Sequence, residues 1–222
     1  VGSEMCIRDS ASIDWIFAPH MYGNPFQDVL NGQLTKYDIA PRGFRQISAA
    51  VDAIANSHAE HRVLHLHWLN VVLAGAKSAA EEEVRIANFS ANLARAKASG
   101  AKIVWTVHNV LPHEGYSQAA AIRVRQLIVE AADWIHVMSP TTVAECAPLF
   151  TIPTEKVLRI EHPGYHGVYP QVDASLDLRM RWGLAAAGKV IVILGGIKPY
   201  KGLNQFAKEF VHATAEQPRE LT

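Results

Sequence analysis

The chain has 222 residues, 49% of them hydrophobic and 19% charged, which supplies apolar material for a substantial core and excludes disorder over most of its length. Lys and Arg number 21 against 21 Asp and Glu, so the basic excess of a sequence-independent nucleic-acid clamp is missing. No apolar run approaches the ~18 to 20 residues of a membrane-spanning helix, and the longest, residues 190–197, has strand length.

Residues 1–10 (VGSEMCIRDS) show neither a basic-then-apolar signal pattern nor a helix or strand period. The string resembles translated sequencing adaptor found at the ends of unrelated metagenome-derived translations. The natural protein is therefore expected to begin upstream or near Ala11. Cys6 and Cys146 have neither pairing nor metal-ligand spacing, which points away from a disulfide framework or zinc knuckle and towards a reducing, cytoplasmic setting.

From there strand-length and helix-length segments alternate, the pattern of a doubly wound α/β protein with a parallel sheet. Residues 13–18 (IDWIFA) form a first strand closed by Pro19. Asn24 and Pro25 supply a cap and a first-turn proline for the short helix in PFQDVLNGQL. A helix over 44–56 carries Ile47, Val51 and Ile54 at helical spacing, and 63–69 (VLHLHWL) is the next strand. The helix over 81–99 turns Val84, Ile86, Phe89 and Leu93 inward and ends on Gly100, a left-handed cap.

A strand over 103–107 follows, then an amphipathic helix over 117–132 with Ile122, Leu127 and Ile128 inside and Arg123 and Arg125 outside. Residues 134–138 (WIHVM) read as a strand, and Ser139 caps a helix through about Phe150. A strand over 157–161 leads to a Gly, Pro and Tyr-rich boundary over 162–170. The expected domains are 11–170, a linker over 171–186 with a helical piece around 176–182, and a second α/β unit over 187–222. That unit opens with a buried strand over 190–194, a loop over 195–202 and a helix from Leu203.

Doubly wound sheets place ligands beyond the C-terminal strand ends, so four clusters stand out. In HMYGNP, Gly23 and Asn24 precede a helix N-terminus, which suits either an anion or an ordinary capped turn. In HLHWLN, His65 and His67 share one strand face, opposite Leu64, Leu66 and Trp68, and suit either a metal or hydrogen-bonded burial. In VHNVLPHE, His108 ends an apolar strand and points into the crevice, with an ordinary imidazole pKa that suits proton donation or polarisation near neutral pH. Asn109, His113 and Glu114 add polar groups; capping the strand is the bland alternative for His108. In GGIKPYKG, Gly195 and Gly196 permit close backbone approach while Lys198 and Lys201 supply cations for phosphate, although neither a Walker loop nor G-x-G-x-x-G is present. Two solvated lysines would be the plain reading.

The stretches NPFQDVL, VLHLHWLN, KIVWTVHNVLPHE, ADWIHVMSPTTVAE, VLRIEHPGY and LGGIKPYKGL, in this order, resemble retaining glycosyltransferases of the GT-B fold, of the bacterial family-four-like kind. The resemblance spans about residues 13–210. It implies a Rossmann-like acceptor-side domain followed by the first βα unit of a nucleotide-sugar-binding domain, whose E-x7-E motif would lie beyond Thr222. It implies a nucleotide-diphosphate sugar as donor, a glycan or lipid-linked acceptor, no cofactor and no required metal. The implied setting is cytoplasmic, with peripheral contact at the inner membrane. His108 matches the histidine at the reaction centre, Gly23 the N-terminal glycine loop, and Lys201 the diphosphate lysine. Gly196 stands where many relatives carry arginine, which leaves the second cation to Lys198. Two other expectations compete: a metal-dependent hydrolase using His65, His67 and His108, and an acceptor-domain fragment without turnover of its own. The sequon Asn88-Phe89-Ser90 is read as chance.

Overall fold

The computed structural model describes residues 12–112, 117–170, 178–184, 190–193, 198 and 201–215. Contacts divide the chain into one unit through Val168 and a second from Tyr169.

The first unit is a Rossmann-like α/β layer structure built on six parallel strands: β1 (Ile13–Ala18), β2 (Arg42–Gly43), β3 (His61–Leu66), β4 (Lys102–Thr106), β5 (Trp134–Val137) and β6 (Val157–Arg159). Their order across the sheet is β2-β1-β3-β4-β5-β6. Helices α1 (Phe26–Gly32), α2 (Ile47–Ala55), α3 (Asn70–Leu73), α4 (Ala79–Ala98), α5 (Gln118–Ala131) and α6 (Thr142–Cys146) fill the connections.

Side-chain alternation gives the two sheet faces different chemistry. Ile16, Leu64, Leu66, Ile103, Trp105 and Ile135 form a dry face packed with Ile54 of α2, Phe89 of α4 and Ile128 of α5. Burying each such side chain stabilises by roughly 1.5–3 kcal/mol. The other face carries Trp15, Phe17, His65, Thr106 and His136, and α1 packs on it through Asn31, with Leu34 of the turn after α1 beside it.

Local signals explain several boundaries. Ser78 caps α4 by accepting the Glu81 N–H at 3.2 Å, and the Glu81 carboxylate returns to the Lys77 N–H at 2.9 Å. This S-x-x-E box starts the helix two residues earlier than its hydrophobic period suggests. At the far end Gly100 has φ +81, and the Ala101 N–H reaches the Ala96 carbonyl at 3.2 Å, closing a Schellman cap.

Four expectations need correction. Val84 is 60% exposed, because the inward stripe of α4 runs through Ile86, Phe89, Leu93 and Ala96. Arg125 is 4% exposed rather than outside, since backbone carbonyls hold its guanidinium in place of water. The helix expected from Ser139 is the short α6, with the Ser139 hydroxyl accepting the Thr141 N–H at 3.2 Å. Residues 190–193 are exposed and pair with no strand among the described residues; an apolar run becomes a strand only beside a hydrogen-bonding neighbour. The described helices of the second unit are α7 (Leu178–Arg181) and α8 (Leu203–Ala215).

Candidate functional site

The chain leaves β1 towards β2 on one side and leaves β3 towards β4 on the other. This reversal opens a crevice beyond the C-terminal ends of β1 and β3, where a doubly wound sheet takes its ligand.

One wall is the loop after β1. Buried Gln27 clamps it, donating from Nε2 to the Pro19 carbonyl and accepting the Met21 N–H at Oε1, both at 2.9 Å. The Asn24 N–H closes a turn onto the Met21 carbonyl at 3.0 Å, and Gly23 inside that turn has φ +87, a conformation an L side chain strains to adopt. Asn24 Oδ1 accepts the Phe26 N–H at 3.1 Å, and Pro25 opens α1 with its carbonyl taking the Val29 N–H. The expected order is thus shifted by one: Pro25 takes the N-cap position, and Asn24 precedes it in a turn closed by its own side chain. Asp28 lies in the first turn, 3.3 Å from His20 Nε2, so an anion at this helix end also meets a carboxylate. That favours the capped-turn alternative.

The other walls are histidines and aromatics. His65 and His67 are buried on one face as expected, with ring centroids 4.2 Å apart. Trp68 is not opposite them: β3 ends at Leu66, and the chain turns so that the indole stacks on His108 at 4.0 Å and 16°. Phe26 places its edge against the same imidazole at 4.8 Å, and also approaches His162 at 5.0 Å.

Hydrogen-bond direction fixes the tautomers along the strand ends. The Ile160 carbonyl can only accept, so His136 Nε2 carries its proton, at 2.9 Å. Burial lowers the His136 pKa, against the pull of that carbonyl, so its Nδ1 is a lone pair that takes the Thr106 hydroxyl proton at 3.0 Å. Thr106 Oγ1 then accepts from His65 Nε2 at 2.7 Å, leaving His65 Nδ1 as a buried acceptor without a partner. Burial, helped by His136 and His108, pushes His65 down to about 3.

His67 Nδ1 and His108 Nε2 share a hydrogen bond of 3.1 Å. His67 Nε2 is buried without a partner, and an orphaned acceptor is better tolerated than an orphaned N–H. His67 Nδ1–H is therefore the donor, and His108 keeps its proton on Nδ1, for which no partner exists among the described residues. Burial first, then His136 and His162, push His108 down to about 3. The sequence-based expectation of a titrating His108 is corrected: the half-buried ring is neutral near pH 7 and presents an N–H donor. Because His65 Nε2 is engaged with Thr106, the three histidines do not converge, and no three metal-ligating side chains do so among the described residues.

Arg125 anchors the segment after β4. Its guanidinium donates to the Ala121 carbonyl at 3.0 Å, the Val110 carbonyl, and the Asn109 carbonyl at 3.5 Å. Burial lowers its pKa to about 10, partly offset by Cys146, which leaves it a cation at neutral pH. Asn109 thus sits in the crevice segment with its side chain exposed. His113 and Glu114 lie outside the described residues, as do Gly195 and Gly196. Lys198 and Lys201 belong to the second unit, where the Lys201 N–H bonds the Lys198 carbonyl at 3.0 Å in the turn before α8.

The structure therefore brings Gly23, Asn24, His108 and Asn109 to one sheet edge. It adds Gln27, Phe26, Trp68, His162 and Arg125, which the sequence reading did not assign to the site. The VLHLHWLN and EHPGY stretches carried Trp68 and His162 in plain view, whereas the roles of Gln27 and Arg125 rest on distant backbone carbonyls and leave no sequence signal. No helix among the described residues is long and apolar enough to cross a membrane. No protein-family model matches this chain, and no curated protein shows significant similarity to it.

Proposed function

We propose that the protein is a retaining glycosyltransferase, moving a hexosyl group from a nucleotide-diphosphate sugar to a glycan or lipid-linked acceptor. The observation that carries this reading is His108: a neutral imidazole clamped by Trp68, Phe26 and His67 at the switch point, with an Nδ1–H donor that has no partner among the described residues. Such a ring positions a polyhydroxylated ligand by hydrogen bonding while its aromatic neighbours exclude water.

In the proposed reaction the acceptor hydroxyl oxygen bonds the anomeric carbon as the bond from that carbon to the diphosphate oxygen breaks on the same face. The hydroxyl proton passes to the departing diphosphate. His108 donates to the donor sugar, and the resemblance assigns the diphosphate charge to Lys198 and Lys201. A cytoplasmic setting with peripheral contact at the membrane belongs to the same proposal.

The test is release of nucleoside diphosphate from UDP-glucose, GDP-mannose and dTDP-glucose, with and without acceptor sugars, by the 222-residue chain and by the chain extended through the reading frame after Thr222. His108→Ala is expected to lower turnover at least a hundredfold while the chain still unfolds cooperatively, at a melting temperature reduced by the loss of the His67 partner. Release that is undiminished in His108→Ala, or no binding of any nucleotide sugar by the extended chain, overturns the reading.

A further inference from the structure

A second cavity, of about 570 Å³, lies between α2, α3 and α4, outside the histidine cluster. Its charged lining residues are Arg45 and Arg85, and among the described residues no carboxylate lines it. Neither arginine forms an ion pair with any described residue. By contrast Arg42, Arg95 and Arg123, on the same elements or next to them, each hold an Asp or Glu. Two uncompensated cations in one concavity repel each other and favour an oxyanion between them, which guanidinium forks bind in bidentate fashion.

The rest of the lining matches such a ligand. Asn88 and Asn92, one turn apart on α4, bring amide donors and acceptors, while Phe89 and Val71 supply an apolar floor. Gln46 leaves the N-terminus of α2 without a side-chain cap, and the first bond within the helix runs from the Ala50 N–H to the Gln46 carbonyl at 3.1 Å. The N–H groups before Ala50 add donors at the cavity mouth. The cavity also adjoins the crevice. The Arg45 guanidinium lies 5.1 Å from the Tyr22 ring centroid, beside Gly23, and Val71 follows Trp68 by three residues.

We propose that this cavity is an oxyanion subsite for the acceptor: Arg45 and Arg85 hold a phosphate or carboxylate carried on the acceptor sugar, next to the crevice that receives the reacting hydroxyl. The inference rests on the glycosyl-transfer reading for the role of the ligand, and on the cavity alone for its charge.

The experiment is an NMR titration of the isotope-labelled 222-residue chain with glucose 6-phosphate, glucuronate, inorganic phosphate and glucose. The expected result is saturable shifts of the Arg45 and Arg85 Nε–H and of the Ile47 and Ser48 amides with one of the two anionic sugars, and none with glucose. Whichever anionic sugar binds identifies phosphate or carboxylate as the group held. Arg85→Gln is expected to weaken binding at least tenfold. Asn92→Asp, which keeps both arginines and adds a negative charge, does the same and decides the matter if Arg85→Gln lowers the melting temperature. Arg123→Gln, which removes an equal charge from the Glu83 pair on the surface, leaves affinity within twofold. Absence of these shifts, equal weakening by Arg123→Gln, or inorganic phosphate binding as tightly as either sugar (an adventitious ion only) overturns the proposal. No nucleotide sugar enters this titration, so its failure is distinct from failure of the donor assay.

Discussion

His67 Nδ1 and His108 Nε2 lie 3.1 Å apart, which makes one imidazole the hydrogen-bond donor to the other and fixes the face that His108 turns to the crevice. Strands β3 and β4 are adjacent and parallel, so their C-terminal ends bring the two segments together, and His67, one residue past Leu66, then meets His108, two past Thr106. The ring is held by the segments that leave the sheet, packed against Trp68 and Phe26.

A pH dependence follows. The unfolded chain binds these imidazole protons near the ordinary 6.5, whereas folded His65 and His108 bind them only near 3. Between those values the unfolded state holds more protons, so stability rises with pH across the window and is complete above it. Each such histidine contributes a slope of about 1.4 kcal/mol per pH unit. Urea midpoints are expected to fall steadily from pH 6.5 to pH 4. Nitrogen-15 spectra are expected to show His108 as the neutral Nδ1–H tautomer throughout the range in which the protein stays folded. A His108 ring titrating near 6.5 in the folded state would contradict the assignment.

Gly43 is needed for space rather than for backbone freedom. A Cβ there would lie 2.7 Å from both His20 Nδ1 and the Phe17 ring. The ring is packed beside the crevice and the imidazole is tied to Asp28, so neither yields cheaply. Gly43→Ala is expected to destabilise by about 1–3 kcal/mol in urea unfolding. It should also displace the His20 resonances while leaving α4 and α5 unmoved.

Cys146 is fully buried, and burial pushes its thiol up to about 11; the nearby Arg125 cation opposes that shift and Glu145 adds to it. The reactive thiolate is thus scarce and screened. In a Cys6→Ser background, Ellman's reagent at pH 8 is expected to modify no thiol in the native protein and one after denaturation. Rapid native-state labelling would show that α6 opens locally.

The fold was legible where hydrophobic period and punctuation agreed. The strand IDWIFA closed by Pro19 has the bounds expected, and Gly100 caps its helix. Legibility failed where a residue's state depends on distant partners. Polarity put Arg125 on a solvated helix face, but the carbonyls that bury it lie fifteen residues back along the chain, at Val110, and one helical turn back, at Ala121. The type of His108 was visible at the end of an apolar strand. Its protonation was not, because that is set by burial against strands whose neighbours only the sheet order reveals.

Arg125 also offers the clearest test of how the crevice segment is held. Three backbone carbonyls, from Asn109, Val110 and Ala121, accept from one guanidinium that has no carboxylate partner among the described residues. Its removal leaves the partly buried Val110 and Asn109 carbonyls without their donor and empties the space of the buried guanidinium, which together cost more than the net value of the bonds themselves. Arg125→Met keeps the aliphatic stem and is expected to destabilise by about 2–3 kcal/mol. Arg125→Lys keeps the charge but offers a single ammonium for carbonyls on two elements, so it should recover less than half of that loss. Amide exchange separates a local role from a global one. In both variants exchange at the Val107 amide, which follows the last strand position and donates to the His136 carbonyl at 2.9 Å, should accelerate more than exchange in β4 itself. Uniform acceleration across β4 and α5 would instead make Arg125 a general core residue with no special hold on the segment after β4.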